Sequence, residues 1–397
     1  MATVTFEEAR DCVLTKVSSE RTLLDTEQVS TSEGLGRVLA EAIYADRDSP
    51  PVSRSVRDGF AVRASDLPGE LFIVGEVRAG ETFAESLDPG QAIEIMTGAP
   101  LPPGADSVIM VEHATVNGEK VRYERAVRVG ENVNPKGSEA RSHDLLLDVG
   151  ARLGPAQIAL IAMAGHRRVW VYRQLEVAIL STGDELVEVE EQPLEYQIRN
   201  TNSPSLAAQV AKAGAKPQVL PIARDLYAAT RELIEHGLRF DLLLVSGGVS
   251  AGKYDIVERV LSELGAEFFF DRVLIQPGQP LVFGEARNKF FFGLPGNPAS
   301  TMVTFEVFAR SAIELLSGQT QTSLPLPWSR LKKDFHQKPG LTRFLPACLS
   351  SDGSEVTPIS WSGSGDIPAL ARANAFLVTD PAREQWAAGD LIRVMLT

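Results

Sequence analysis

Residues 241–255 read DLLLVSGGVSAGKYD. An apolar run with the look of a buried strand ends in three glycines and two serines, and a carboxylate, Asp255, stands where the next helix should begin. A Gly/Ser turn after a strand offers unobstructed backbone N–H groups to an anion, as phosphate-binding loops do. A bare aspartate beside that anion would repel it, so the stretch asks for a cation between the two.

Working outward, the same rhythm recurs from about 174 to 318. "LEVAILSTG" is a strand, a helix begins at Asn202-Ser203-Pro204 and runs to Ala213, "PQVLPIARD" is a strand and "LYAATRELIEH" a helix. "IVERVLSELG", "FFFGLPG" and a helix from Pro298 to Leu316 continue it. Alternation of this kind predicts a mostly parallel sheet with helices on both faces. The ligand crevice of such a sheet lies beyond the carboxyl ends of its strands. The polar clusters fall there: Ser181 to Glu185 after the first strand, Arg224-Asp225 after the second, Ser246 to Ser250 with Asp255 after the third, and Gly293 to Pro298 after the last. Glycine amides suit an anion, whereas Glu185, Asp225 and Asp255 supply oxygens for a hard divalent cation such as Mg²⁺, which favours a few carboxylates plus substrate phosphate. Plainer readings stand beside this one. Asp225 and Asp255 could be helix caps, and Gly-Leu-Pro-Gly-Asn-Pro could be turn chemistry with Pro298 at a first helical position. No Gly-x-Gly-x-x-Gly follows the first strand and no P-loop occurs, which disfavours a nicotinamide or nucleoside-triphosphatase site.

The rest of the chain divides around this region. Phe6, Ala9, Val13 and Val17 form one helical stripe, and "EGLGRVLAEAIYA" predicts a second helix before Pro50-Pro51. Residues 70–150 change to short β runs, with Asn117-Gly118 as a hairpin turn, and "AQIALIAMAG" returns to helix. The tail from 321 reads as a further small β unit. The expected organisation is multidomain α/β: a helical part from 1–45 plus 140–172, an inserted β part at 46–139, the α/β unit at 173–320 and a C-terminal β unit at 321–397.

Composition narrows the function. The 397 residues carry a net charge of −13, which opposes nucleic acid and acidic membrane as partners. Two distant cysteines, Cys12 and Cys348, fit a reducing compartment, and the five histidines show no metal-ligand spacing. The N-terminus lacks a signal-peptide pattern and no apolar stretch is long enough to span a bilayer, so a cytoplasmic location is expected.

Taken in order, "SVRDGFAVRA" (55–64), "IMTGAPLPPGADSVIMVE" (95–112), "LSTGDEL" (180–186), "VSGGVSAGKYD" (245–255), "PGQP" (277–280), "GLPGNPAS" (293–300) and "SGSGDIPALARANAFLV" (362–378) resemble the MoeA family, whose members are molybdopterin molybdenumtransferases similar also to the E domain of gephyrin. The resemblance implies four subdomains, with a Mog-like α/β domain and a barrel-like C-terminal domain, and a homodimer. It implies Mg²⁺-aided insertion of molybdate into adenylylated molybdopterin with release of AMP, with a Mog-like adenylyltransferase and apo-molybdoenzymes as neighbouring partners.

Position by position, Asp58, Thr97, Glu185, Asp225 and Asp255 match the family's functional residues, the last three as metal ligands. Thr182, Gly183, Ser246, Gly247, Gly248, Ser250, Gln276, Pro295, Asn297 and Pro298 are the expected binding residues, with the 247–252 amides cradling pyrophosphate and molybdate near Thr97 and the 276–280 loop. Asp58 and Thr97 are expected to face Glu185, Asp225 and Asp255 of a partner subunit. The chain departs from the family at Gln276 and Gln279, where lysines are common, at Ser138-Glu139 and at Pro368-Ala369; Lys136, Lys253 and Arg272 are candidate replacement cations, and Arg372 and Asn374 are kept. Phe60 and the apolar residues of "SVIMVE" are expected in the core. A dimeric scaffold without catalysis and a Mog-like adenylyltransferase remain as other readings, the first without need of three strand-end acids, the second without need of appended β domains.

Overall fold

The computed structural model describes residues 3–22, 24–248 and 256–396. Its centre is a six-stranded sheet in the order Lys216–Val219, Glu176–Ser181, Leu242–Ser246, Lys289–Leu294, Val282–Ala286, Glu267–Phe270. The first four strands are parallel, Val282–Ala286 runs antiparallel to them, and Glu267–Phe270 pairs antiparallel with Val282–Ala286. Alternate side chains go to opposite faces of a strand, and both faces are covered. Val177, Ile179, Leu242, Leu244, Phe290 and Phe292 enter one core, while Ala178, Leu180, Leu243, Val245 and Phe291 enter another. This double burial explains why the strands read as continuous apolar runs rather than alternating ones. Helices Asn202–Lys212, Tyr227–Gly237 and Ile256–Glu263 follow their strands as expected. The predicted helix from Pro298 is Pro298–Thr304 continued through a π-helical segment, Phe305–Ala309, into Arg310–Leu316.

The stripe Phe6, Ala9, Val13 and Val17 is the buried face of helix Phe6–Glu20. That face packs into the α/β core, Phe6 meeting Phe308 and Phe344 edge-on at centroid distances of 5.8 and 5.5 Å. The helix expected over "EGLGRVLAEAIYA" does not form. Leu39 donates its N–H to Ala151 O and Ala40 to Trp170 O, both at 2.9 Å, and Ile43–Tyr44 pairs with Leu145–Leu147. Gly36, in the left-handed region at φ 78°, turns the chain at the outset, and burial of Leu39 and Ile43 in a separate core rewards the extended path. Helix propensity loses here to pairing with distant segments.

The inserted β region is a six-stranded sheet in the order Ser107–Met110, Gly59–Val62, Gln91–Ile95, Gly69–Val77, Lys120–Tyr123, Thr115–Asn117. Phe60 and Ile109 lie in its core. Asn117 pairs with Lys120, so the two-residue loop of the hairpin is Gly118-Glu119, one residue later than the sequence implied. Near the C-terminus, Thr342–Leu349, Glu355–Pro358, Trp328–Leu331, Leu391–Leu396 and Ala375–Val378 close into a five-stranded barrel. Ile275–Gln276 adds to the barrel strand at Thr342 and Arg343, joining the α/β unit to it. No helix among the described residues is long and apolar enough to cross a membrane.

Candidate functional site at the strand ends

A cleft of about 1530 Å³ opens at the carboxyl ends of the parallel strands. Thr182, Gly183, Glu185, Asp225, Ser246, Gly247, Gly248, Pro295, Asn297 and Pro298 line it, so loops after all four parallel strands converge on one space. Pro280 of the 276–280 loop and Gly365 and Ile367 near the C-terminus line it as well. Ser250 and Asp255 lie outside the described residues, as does Lys253.

The convergence depends on close backbone contact. A Cβ on Gly247, at φ 90°, would come within 2.7 Å of the Thr182 carbonyl oxygen, and one on Gly248, at φ 65°, within 2.8 Å of Thr182 Oγ1. Only glycine fits such positions without a shift. Gly247 donates its N–H to Leu294 O at 3.1 Å, so its amide is already committed, whereas the Gly248 N–H has no partner among the described residues. The Thr182 hydroxyl beneath the pair is buried and likewise has no hydrogen-bond partner. A buried polar atom left unpaired costs stability, and this one lies at the edge of the cleft.

The acidic residues separate into holders and free groups. Asp184, not singled out from the sequence, accepts the Asp225 N–H at 3.0 Å, and Arg224 reaches back to Asp184 O at 3.2 Å and Leu186 O at 2.9 Å. These bonds fasten the first and second loops together. The carboxylates of Glu185 and Asp225 are exposed to the cleft and take part in no ion pair or hydrogen bond among the described residues. Asp225 is not a helix cap, because Leu226 occupies that position in front of Tyr227–Gly237. Pro298 does stand at the first turn of its helix, behind Asn297. Among the described residues no three His, Cys, Asp or Glu side chains gather as a metal site; the predicted third ligand, Asp255, is one of those not described.

Asp58 and Thr97 form a separate pair. Thr97 donates its N–H and its hydroxyl to Asp58 Oδ1 at 2.6 and 2.7 Å, and these two bonds hold the Asp58 carboxyl below the usual carboxylate range. Asp58 ends a bend over residues 56–58. Gly59 opens strand Gly59–Val62, and a Cβ there would lie 1.8 Å from Ile109 O, so the glycine answers a strand contact. Neither Asp58 nor Thr97 lines the cleft of the same chain.

Gln276 has a neighbour that sequence spacing could not reveal. Arg343 donates from Nε to Gln276 Oε1 at 2.7 Å, across 67 positions of chain, because Ile275–Gln276 pairs with the barrel strand. The candidate cation Lys136 is paired with Asp48 at 3.5 Å, and Arg272 lies on the strand beside Thr3. Glu139 pairs with Arg54 and accepts hydrogen bonds from Ser49 at 2.9 Å and Asn134 at 2.9 Å.

The chain matches three family models in succession: MoeA N-terminal region (domain I and II) over residues 4–165, a probable molybdopterin binding domain over 178–315, and MoeA C-terminal region (domain IV) over 329–397. A Bacillus subtilis protein named molybdopterin molybdenumtransferase is 35% identical over 391 residues, covering 94% of this chain and 90% of its own. A Staphylococcus epidermidis protein of the same name is 31% identical, covering 93% and 90%. The crystal structure of a molybdopterin biosynthesis moeA protein from Pyrococcus horikoshii OT3 superposes with a TM-score of 0.80 at 28% identity over the full length of both chains. With consecutive models across nearly the whole sequence and relatives of this similarity, the chain belongs to the MoeA family.

Proposed function

We propose that this chain inserts molybdate into adenylylated molybdopterin and releases AMP, in a Mg²⁺-dependent reaction. As a MoeA family member it is a molybdopterin molybdenumtransferase of molybdenum cofactor biosynthesis; the adenylylated substrate and the metal are our reading. The observation that carries it is the pair of carboxylates, Glu185 and Asp225, that have no partner among the described residues and line the same cleft as the glycine-rich loops. The charge of these two carboxylates would oppose a polyphosphate placed against them, so the residues fit a divalent cation shared between acid and substrate.

Glu185 and Asp225, with Asp255, are the residues to hold it. When bound, Mg²⁺ neutralises pyrophosphate charge as AMP departs. The Gly248 amide and the Thr182 hydroxyl donate to substrate oxygens, and the Pro295–Pro298 loop bounds the far side. Oxyanion binding belongs to the 276–280 loop, where Arg343 supplies the charge that Gln276 lacks. Asp58, ionised and fixed by Thr97, accepts a proton or orients water when it meets the cleft of a partner subunit in a homodimer. This division of labour agrees with a four-part chain and with supply of substrate by a Mog-like adenylyltransferase in the cytoplasm. A non-catalytic scaffold would leave Glu185 and Asp225 without a role.

The test is AMP release from adenylylated molybdopterin with Mg²⁺ and molybdate. Glu185→Gln and Asp225→Asn each remove one charge from a polarised centre and are expected to slow release by about 10²–10³ while the protein stays folded. Near-normal rates in both variants would overturn the metal assignment.

A further inference from the structure

Asn202 begins the helix that follows the first strand, and its side chain reaches away from that helix to two other loops. Its Nδ2 donates to Ser246 Oγ at 2.8 Å and to the Gly296 carbonyl oxygen at 2.7 Å. Ser246 Oγ in turn lies 3.5 Å from Pro295 O. One amide thereby ties the end of the third strand to the loop after the fourth, and Asn202 itself lines the cleft between them. Its anchorage is firm, because Asn200, two residues before it, and Ser203, just after it, belong to a buried network. Asn200 Nδ2 donates to Ser203 Oγ at 2.9 Å, and Asn200 Oδ1 accepts from Ser203 N at 3.1 Å and from Ser181 Oγ at 3.2 Å. The backbone around Asn202 is therefore fixed to the first strand.

We infer that Asn202 is a positioning residue that clamps the Ser246–Gly248 turn and the Pro295–Asn297 loop at the separation the bound substrate needs, an inference that rests on the proposed reading of the cleft for the identity of that substrate. The turns lie close together: a Cβ on Gly296 would stand 3.6 Å from the Cα of Gly247, and beside the Gly247 N–H to Leu294 O bond and the Ser246 contact to Pro295 O, the Asn202 amide adds the side-chain bridge that reaches both loops. The donor of this clamp must be an amide or its like, since both of its partners, Ser246 Oγ and Gly296 O, present oxygen, and a carboxylate would face the Gly296 carbonyl as a second acceptor. The consequence for binding is direct. The Gly248 amide, the Asn297 side and the Thr182 hydroxyl act on one ligand only while the two loops keep their spacing, and preorganisation of that kind lowers the cost of binding.

The isosteric substitution Asn202→Asp removes both donors without changing volume, and Asn202→Ala removes the side chain altogether. Two readouts are required. In the ligand-free protein, exchange of the Gly247 amide, which is bonded to Leu294 O, is expected to speed up about tenfold, the equivalent of one ordinary hydrogen bond. In binding titrations, the Kd for adenylylated molybdopterin is expected to rise by about the same factor, with KM rising alongside it and kcat within about twofold of wild type. A role confined to stability would lower the melting temperature and leave Kd and KM where they were, which overturns the inference. Unchanged Gly247 exchange in both variants also overturns it. Failure of the wild-type chain to bind adenylylated molybdopterin would count against the functional reading instead, and the exchange measurement would still decide whether Asn202 holds the loops.

Discussion

Replacing Gly247 by alanine probes the turn on which the cleft is built, and Gly265 provides the control. Both glycines occupy the left-handed region, Gly247 at φ 90° and Gly265 at φ 81°, so each alanine variant bears the same class of backbone strain, about 1 kcal/mol or slightly more. At Gly265 a Cβ meets nothing within 4 Å, and the strain is the whole cost. At Gly247 the new Cβ falls 2.7 Å from the Thr182 carbonyl oxygen, a backbone atom in the adjoining loop whose own N–H is bonded to Ser246 O at 3.0 Å. Relief requires moving either loop, adding an overpacking cost of about 1–3 kcal/mol. Movement of the turn also stretches the bond from Gly247 N–H to Leu294 O, worth about 1 kcal/mol. Gly247→Ala should therefore be less stable than Gly265→Ala by about 2–4 kcal/mol. A chain with several separate cores need not unfold in one step, so native-state amide exchange on strand Leu242–Ser246 is the suitable assay. Equal protection in the two variants would refute the reasoning, because it would mean that the turn has room for a side chain.

Other expected outcomes are independent of that one. Thr97→Val deletes the hydroxyl donor to Asp58 but keeps the backbone one, so the Asp58 carboxyl should titrate nearer the ordinary carboxylate range, as followed by side-chain carbon NMR. The sign follows from linkage: a depressed carboxyl favours the folded state above its unfolded pKa, and that contribution fades as pH falls through the folded value; Thr97→Val should reduce the acid-induced loss of stability assigned to this site. Arg343→Gln removes the cation beside Gln276 and is expected to raise the molybdate concentration needed for half-maximal rate, while binding of the adenylylated pterin changes less; an unchanged molybdate requirement would place the oxyanion elsewhere. Co-expressed Asp58→Ala and Asp255→Ala chains, each inactive alone, should recover roughly a quarter of wild-type activity if the site is shared across a two-fold dimer, and none if each site forms within one chain.

Much of the architecture is legible in the sequence because its signals are local or periodic. Phe6, Ala9, Val13 and Val17 recur at helical spacing and are the buried face of a helix. The Gly/Ser-rich ends of apolar runs mark the carboxyl edge of the parallel sheet, and the described members of that set do line one cleft. What escapes is decided by partners far along the chain. Residues 33–45 have helix-like composition, yet Ala151 and Trp170 take their backbone bonds and draw them into extended structure. The antiparallel strand Glu267–Phe270 and closure of the barrel depend on pairings that no local pattern encodes. At the site, Arg343 reaches Gln276 only because two strands from different units lie side by side, and Asp184 looks like one more acid of "TGDE" until its bond to the Asp225 N–H is seen. Asn202 reads as the start of a helix; its second role needs the third dimension.

The most direct measurement follows the fate of the oxyanion and the nucleotide together. Purified chain is incubated with adenylylated molybdopterin, Mg²⁺ and radiolabelled molybdate, without ATP, and label bound to pterin is counted against AMP released. The account predicts one labelled molybdenum in the pterin for each AMP, with both signals falling together by about 10²–10³ in Glu185→Gln. AMP release without incorporation of molybdenum, or incorporation that proceeds equally well in Glu185→Gln, would contradict it.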